Sequence, residues 1–298
     1  MDGEKLWLFF AESVICRRPF VEGRTPRWCP GGTIRVVQSE NGIRWTKPVT
    51  VLEQSTDNIP KVIANQLTVA NDGHWVLPFW REVPKSDWSE RCPSDALPSA
   101  GVLMSYDRGA TWDVSEDIIH LDTWLIEGTV VPISDGKILQ MFRTSIGAVY
   151  WSKSSNGGRT WTHPERSLHL PNPNSKINLI RLEGSNSLAL AYNHEGGVSR
   201  MRTNLFVAIS SDEGATWNKV AEIETERNIH SKYHYPSLVQ DGCRLIVAYS
   251  SMFTTSLEVP EPPGIGGIHV AEIDLRAVDL SSASLLPELS SEESDAMP

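Results

Sequence analysis

Positive charge is what this chain has least of. Lysine and arginine number 27 against 37 aspartates and glutamates, a formal charge of −10 over 298 residues. A phosphate backbone is gripped by a stripe of cations, so nucleic acid is excluded as the expected partner. Long apolar runs are lacking too. With no stretch of about 20 apolar residues, no membrane span is expected. The apolar run at 6–10 is short, and the chain start has neither a basic leader nor a small-residue cleavage site. Nothing as written directs the chain to secretion, which leaves the cytoplasm as the default expectation. The four cysteines, Cys16, Cys29, Cys92 and Cys243, form no Cys-x-x-Cys pair and no metal-ligand spacing. Free, partly buried thiols are expected. His230 and His234 have no further ligands near them in sequence, so no metal and no other cofactor is expected. Helix-period segments of useful length are absent as well.

What is present is a repeat. Ser-x-Asp-x-Gly-x-Thr-Trp runs from Ser105 to Trp112, and again from Ser210 to Trp217. An Asn-containing copy runs from Ser154 to Trp161, and a shortened one from Ser39 to Trp45. Each follows a short apolar run that reads as a strand. Ser and Asp or Asn side chains bond nearby backbone amides and build a tight turn. Gly supplies a conformation that a Cβ disfavours, and Trp offers a large apolar area for packing between units. Successive Trp residues lie 67, 49 and 56 positions apart, against about 40–50 for one four-stranded propeller blade. The boxes are therefore structural turns, and their aspartates are not catalytic candidates.

Short β-branched and aromatic runs sort around the boxes into five sets of strands. The second to fourth sets have four strands each. The first has three, at 5–10, 33–38 and 45–52, and the last has three, at 235–240, 244–249 and 267–273. The expected fold is all-β, a propeller with about five blades visible, spanning 1–275. Propellers close by pairing their terminal strands, since open edges are a liability. Two short ends lead to one of two expectations: five blades close in an unusual way, or N-terminal sequence has been lost. Segment 276–298 is acidic and rich in serine, and reads as a disordered tail.

The boxes, the Asp-Gly-x-x-Leu turn, Leu-Trp-Leu-Phe-Phe at 6–10, Pro-Asn-Pro-Asn-Ser at 171–175 and Tyr-Pro-Ser-Leu at 235–238 together resemble the sialidase superfamily of six-bladed propellers. Within it the chain is similar to BNR-repeat, sialidase-like proteins, over roughly 4–275. The resemblance implies a glycoside hydrolase of exo-α-sialidase type, acting on a terminal acidic sugar. It also implies a carbohydrate or glycoconjugate as partner; a monomer is expected.

A sialidase must hold a carboxylate and cleave the bond beside it. Arginine suits the first task, because its fork donates parallel hydrogen bonds and stays charged. For the second, sialidases use a Tyr nucleophile, an exception among glycosidases, and a carboxylate must take the phenol's proton. The resemblance assigns Tyr235 as nucleophile and Glu127 as its activator. Arg143 and Arg202 become carboxylate ligands, and Asn174 and Asn193 substrate contacts. Tyr233 and Arg200 are rivals for two of these places.

Two roles of the superfamily find no residue. No Arg-Ile-Pro motif supplies the first arginine, and residues 3–56 contain no aspartate for the acid. Arg17, Arg18 and Glu22 are the nearest substitutes. Loss of an acid costs about 10²–10⁴-fold in rate, so an impaired enzyme is expected. The alternatives are a carbohydrate-binding propeller without catalysis, or a lyase or hydrolase on uronate polysaccharides.

Overall fold

The boxes fold as their side chains require. Asp107 accepts from the Thr111 amide at 2.8 Å and from the Thr111 hydroxyl at 2.6 Å. Ser105 Oγ accepts from the Gly109 amide at 2.7 Å, and Trp112 Nε1 donates to the Gly109 carbonyl at 3.2 Å. The bonds from Thr111 hold the Asp107 carboxyl down at about 2. In the other full copies, Trp161 reaches the Gly158 carbonyl at 2.9 Å and Trp217 the Gly214 carbonyl at 3.1 Å. The turn needs two consecutive residues at positive φ, supplied by Arg108–Gly109, Gly157–Gly158 and Glu213–Gly214. In the shortened copy Asn41 Oδ1 accepts from the amides of Ile43 and Arg44. That copy lacks the threonine, and its Trp45 stays 41% exposed.

The structure is a computed structural model that describes residues 5–13, 30–84, 96–195, 201–225, 230–254, 266–278 and 284–289. These residues form five antiparallel sheets, each one blade. Blade 1 comprises β1 (Leu6–Glu12), β2 (Thr33–Ser39) and β3 (Val49–Leu52). Blade 2 has its inner strand in two pieces, β4 (Lys61–Val62) and β5 (Thr68–Val69), then β6 (Trp75–Arg81), β7 (Ser99–Ser105) and β8 (Asp113–Val114). Blade 3 comprises β9 (Ile126–Pro132), β10 (Ile138–Arg143), β11 (Gly147–Ser154) and β12 (Glu165–Asn172). Blade 4 comprises β13 (Asn178–Arg181), β14 (Leu188–Asn193), β15 (Asn204–Ser210) and β16 (Asn218–Thr225). Blade 5 comprises β17 (Ser231–Asp241), β18 (Arg244–Phe253) and β19 (Gly267–Asp274).

The core lies between blades rather than within them. Ile34 and Leu52 of blade 1 pack on Leu77, Phe79 and Leu103 of blade 2. Val76, Val102 and Met104 meet Val130 and Ile138 of blade 3. The largest cluster joins Val131, Leu139 and Val149 to Leu179, Leu190, Tyr192 and Trp217 of blade 4. Ala191, Leu205 and Val207 then pack against Tyr233, Leu245 and Val247 of blade 5. Among the described residues no buried cluster joins blade 5 to blade 1. The outward face of β19 leaves Ile268 and Val270 bare, at 73% and 63% exposure.

Part of the expected tail is not a tail. Ser284–Leu285 forms β20, which pairs with β16 as a fifth strand of blade 4. Leu286 is 4% exposed inside the largest cluster, and its amide donates to the Trp217 carbonyl at 2.8 Å. The acidic, serine-rich composition concealed an apolar pair, Leu285 and Leu286, that extends the sheet. Cys243 is a free thiol; Cys16, Cys29 and Cys92 lie outside the described residues. No helix among the described residues is long and apolar enough to cross a membrane.

Candidate active site

Five of the six expected site residues meet at one rim of the ring, where inner strands begin and second strands end. Glu127 lies in the first turn of β9, and Arg143 is the last residue of β10. Asn174 precedes β13, Arg202 precedes β15 and Tyr235 lies within β17. The backbone is distorted at three of them. Glu127, Asn174 and Tyr235 hold φ at 50°, 56° and 55°. A non-glycine residue held there costs about 1–3 kcal/mol and tends to mark a functional site. The ladders are irregular at the same places, between Met141 and Arg143 and between His234 and Ser237. Such bulges re-aim side chains.

The side chains form a continuous line. Arg143 Nη1 donates to Glu127 Oε2 at 2.8 Å, and Arg143 Nε donates to Asn174 Oδ1 at 2.8 Å. Arg202 Nη2 donates to the Asn174 carbonyl at 2.6 Å. One asparagine thus orients both guanidinium groups, through its side chain and its backbone. Arg202 also bonds the Tyr235 hydroxyl. Each guanidinium carries five N–H donors, so both retain donors for a ligand. Tyr235 is 42% exposed, whereas Tyr233 is 8% exposed in the core. Arg200, Arg17, Arg18 and Glu22 lie outside the described residues.

Asn193 lies beneath this line, fully buried. Its Oδ1 accepts from Ser175 Oγ at 2.6 Å, and its Nδ2 donates to the carbonyls of Tyr233 at 2.8 Å and Asn204 at 3.1 Å. It ties the turn after Asn174 to the strand that carries Tyr235, where the sequence reading expected a contact with substrate. The reason is depth: every polar atom of the amide is spent on backbone or Ser175, with no face to the rim.

Residues that the sequence did not single out complete the setting. Lys176 is 4% exposed, and its Nζ donates to the Pro236 carbonyl at 2.6 Å, one residue past Tyr235. Burial pushes this lysine down to about 8, against the pull of Glu127. His234 Nδ1 accepts from Arg202 Nη1 at 3.1 Å. Burial, with Arg202, Lys232 and Arg143 nearby, lowers His234 to about 4, so the imidazole is neutral near pH 7. Asn65 donates to the carbonyls of Glu127 and Gly128 at 2.8 and 3.0 Å. Its Oδ1 accepts from Asn178, whose own Oδ1 accepts from the Leu238 amide at 2.7 Å. These two asparagines link blades 2, 3, 4 and 5 below the rim. Gly128 packs closely on the end of the Gln140 side chain: a Cβ there would lie 2.5 Å from Gln140 Nε2. A cavity of about 680 Å³ lies to one side, between β1 and blade 2, lined by Trp7, Phe9, Asn65, Leu67 and Trp75. Among the described residues no group of three His, Cys, Asp or Glu side chains stands close enough to hold a metal ion.

Residues 1–247 match the family of the BNR repeat-like domain. The chain belongs to this family. Solved structures share its fold. A Hadza microbial sialidase, Hz136, superposes with a TM-score of 0.63 at 18% identity, covering 88% of this chain and 46% of that one. A protein of unknown function from Dyadobacter fermentans gives 0.57 at 20% identity, covering 86% and 65%. A Trypanosoma rangeli sialidase, solved with 2,3-difluorosialic acid as a covalent intermediate, gives 0.59 at 16% identity, covering 87% and 42%. This BNR repeat-like chain spans less than half the length of the two sialidases and about two thirds of the Dyadobacter protein. At these identities the likeness is one of fold. Among curated proteins none matches the chain.

Proposed function

We propose that this BNR repeat-like propeller is a glycoside hydrolase of sialidase type, acting on terminal acidic sugars of glycans. The observation that carries the reading is the line Glu127–Arg143–Asn174–Arg202–Tyr235, in which one asparagine aims two arginines beside a strained, exposed tyrosine. Arg143 and Arg202 bind the sugar carboxylate through their remaining donors. Tyr235 attacks the anomeric carbon as the nucleophile, and Glu127 takes the phenol proton through the oxygen that Arg143 does not hold. A neutral phenol approaches an anionic sugar without the repulsion that a carboxylate nucleophile meets. Arg202 beside the phenol oxygen stabilises the negative charge that develops there. Asn193 and Lys176 act from below, by holding the turns that present Asn174 and Tyr235.

The same reading extends to the architecture. The propeller takes up 1–275, with the strand at 284–285 docked on blade 4, and is of the six-bladed sialidase type. Apolar side chains exposed on the two terminal blades support this: β1 presents Leu8 and β19 presents Ile268 and Val270 to solvent. The partner is a carbohydrate or glycoconjugate, and the protein works as a monomer.

Release of methylumbelliferone from its α-sialoside tests the activity. Wild type turns the substrate over, and Tyr235→Phe reduces kcat by about 10²-fold or more, because the covalent route is lost. Glycan binding without turnover, abolished in Arg143→Ala, replaces this reading with that of a carbohydrate-binding propeller.

A further inference from the structure

One buried side chain at the rim takes no part in the proposed reaction. His234 directly precedes Tyr235 in β17 and is buried. In a regular strand, neighbouring side chains point to opposite faces. Here the ladder to β18 breaks between His234 and Ser237, and Tyr235 holds φ at 55°. The break brings consecutive side chains together, with the His234 and Tyr235 rings 4.9 Å apart and tilted by 54°. Both reach the same guanidinium. Arg202 Nη1 donates to His234 Nδ1 at 3.1 Å, and Arg202 also bonds the Tyr235 hydroxyl.

The partners of the imidazole fix its tautomer. A guanidinium has donors only, so Nδ1 must present its lone pair. The ring proton therefore sits on Nε2, which faces Met252 Sδ of β18 at 3.1 Å, a thioether that only accepts. A proton on Nδ1 would point at Arg202, with Lys232 and Arg143 also bearing on the ring. The imidazole is thus held neutral among three cations.

The two arginines of the line are partnered differently. Arg143 is paired with the Glu127 carboxylate at 2.8 Å. Among the described residues, the hydrogen-bond partners of Arg202 are the His234 ring, the Asn174 carbonyl and the Tyr235 hydroxyl, none of them a carboxylate. A carboxylate at position 234 would also orient this fork, but it would offset the charge and compete with a bound anion. A neutral acceptor orients the fork and leaves its charge unspent.

We infer that His234 is a positioning residue for the acidic sugar: as an uncharged acceptor it sets the plane of Arg202 and leaves the charge of that fork to the sugar carboxylate. The role rests on the acidic-sugar reading of the site given above. His234 acts through Arg202 and touches no reacting atom.

Isothermal titration of N-acetylneuraminic acid and of its uncharged methyl ester separates this role from a packing role, with the melting temperature of each variant as the control for folding. Wild type binds the acid more tightly than the ester. His234→Leu removes the acceptor and is expected to weaken the acid about ten-fold, the worth of one hydrogen bond to a charged group, and the ester by less. His234→Asn, which offers an amide oxygen near the place of Nδ1, recovers most of that loss. His234→Asp matches Asn in size and differs from it in charge, so it should weaken the acid at least ten-fold and erase the preference over the ester. An Asn variant that binds the acid no better than the Leu variant, or an Asp variant that keeps the wild-type preference, would overturn the assignment. So would equal losses of acid and ester in all three variants. Wild type that binds the acid but leaves the methylumbelliferyl sialoside intact removes the glycosidase reading alone, and the contrast of Asn with Asp still decides the role of His234. Wild type that binds neither ligand overturns both.

Discussion

Tyr235, Asn174 and Glu127 share a backbone conformation that side chains disfavour, and each is held there by named groups. Lys176 holds the turn at Pro236, Asn65 holds the carbonyl of Glu127, and the two arginines hold Asn174. Glu127 and Arg143 form a pair whose side chains are only 7% and 12% exposed. Removing one partner of such a pair leaves a buried charge, so Arg143→Met is expected to cost about 3–5 kcal/mol by urea unfolding. Adding Glu127→Gln should recover most of that loss; a double variant no more stable than the single one contradicts the pairing. Lys176 makes stability depend on pH. Its folded pKa, about 8, lies below the unfolded value, so folding disfavours the ammonium. The penalty is absent above the unfolded pKa and grows as pH falls through the window from about 10 to 8. Wild type should therefore lose stability relative to Lys176→Met between pH 10 and pH 8, by roughly 3 kcal/mol. A pH-independent difference between the two proteins would show that the lysine is not buried as described.

At the scale of elements, the box does two jobs. It closes the turn between the third and fourth strands, and it delivers a tryptophan to the gap between blades. The second job varies with context. Trp217 is fully buried among residues of blades 3 and 4, while Trp45 of the shortened copy is 41% exposed. Trp217→Ala is expected to cost about 3–5 kcal/mol, and Trp45→Ala less than about 1 kcal/mol. Comparable shifts in the unfolding midpoints would mean that the turn, not the buried ring, carries the stability. Strand β20 reinforces the same blade. Leu286→Ala should cost about 2–4 kcal/mol, read as a lower melting temperature, although the residue sits in a segment of disordered composition. An unchanged melting temperature would show that this strand does not hold the blade.

At the scale of the molecule, the ring is a series of interfaces rather than a single core. Each cluster joins consecutive blades, and the asparagines at 65 and 178 fasten four blades at the axis. A substitution at the axis should therefore reach the rim. Asn178→Ala removes the acceptor of the Leu238 amide, a residue close to Tyr235 in β17. It is expected to lower both stability and the binding of an acidic sugar by isothermal titration, whereas a purely local role leaves binding intact. The rim residues come from three blades, 3, 4 and 5, so the geometry of the site depends on how those blades are docked.

Much of this was legible in the chain itself. The boxes are local: Asp107, Thr111, Gly109 and Trp112 satisfy one another within eight residues, so their pattern survives in sequence. The strand sets follow from β-branched runs between such turns, and they gave blades 2 to 4 their four strands each. Tyr235, Arg143, Arg202, Glu127 and Asn174 were legible because recognisable segments carry them to the rim. Lys176, Asn65 and Asn178 were not. Their importance comes from burial and from partners on other blades, such as Pro236 for Lys176 and Glu127 for Asn65, 60 and 62 positions away. Asn193 was expected to touch substrate; its depth, which spends its amide on Ser175 and two carbonyls, was invisible. The sequence by itself determined an all-β ring of box-punctuated blades, because turns and strand patterns are short-range physics. Only the tertiary structure decided which tyrosine faces solvent and which arginines share one asparagine, because exposure and proximity are set by how separate blades pack.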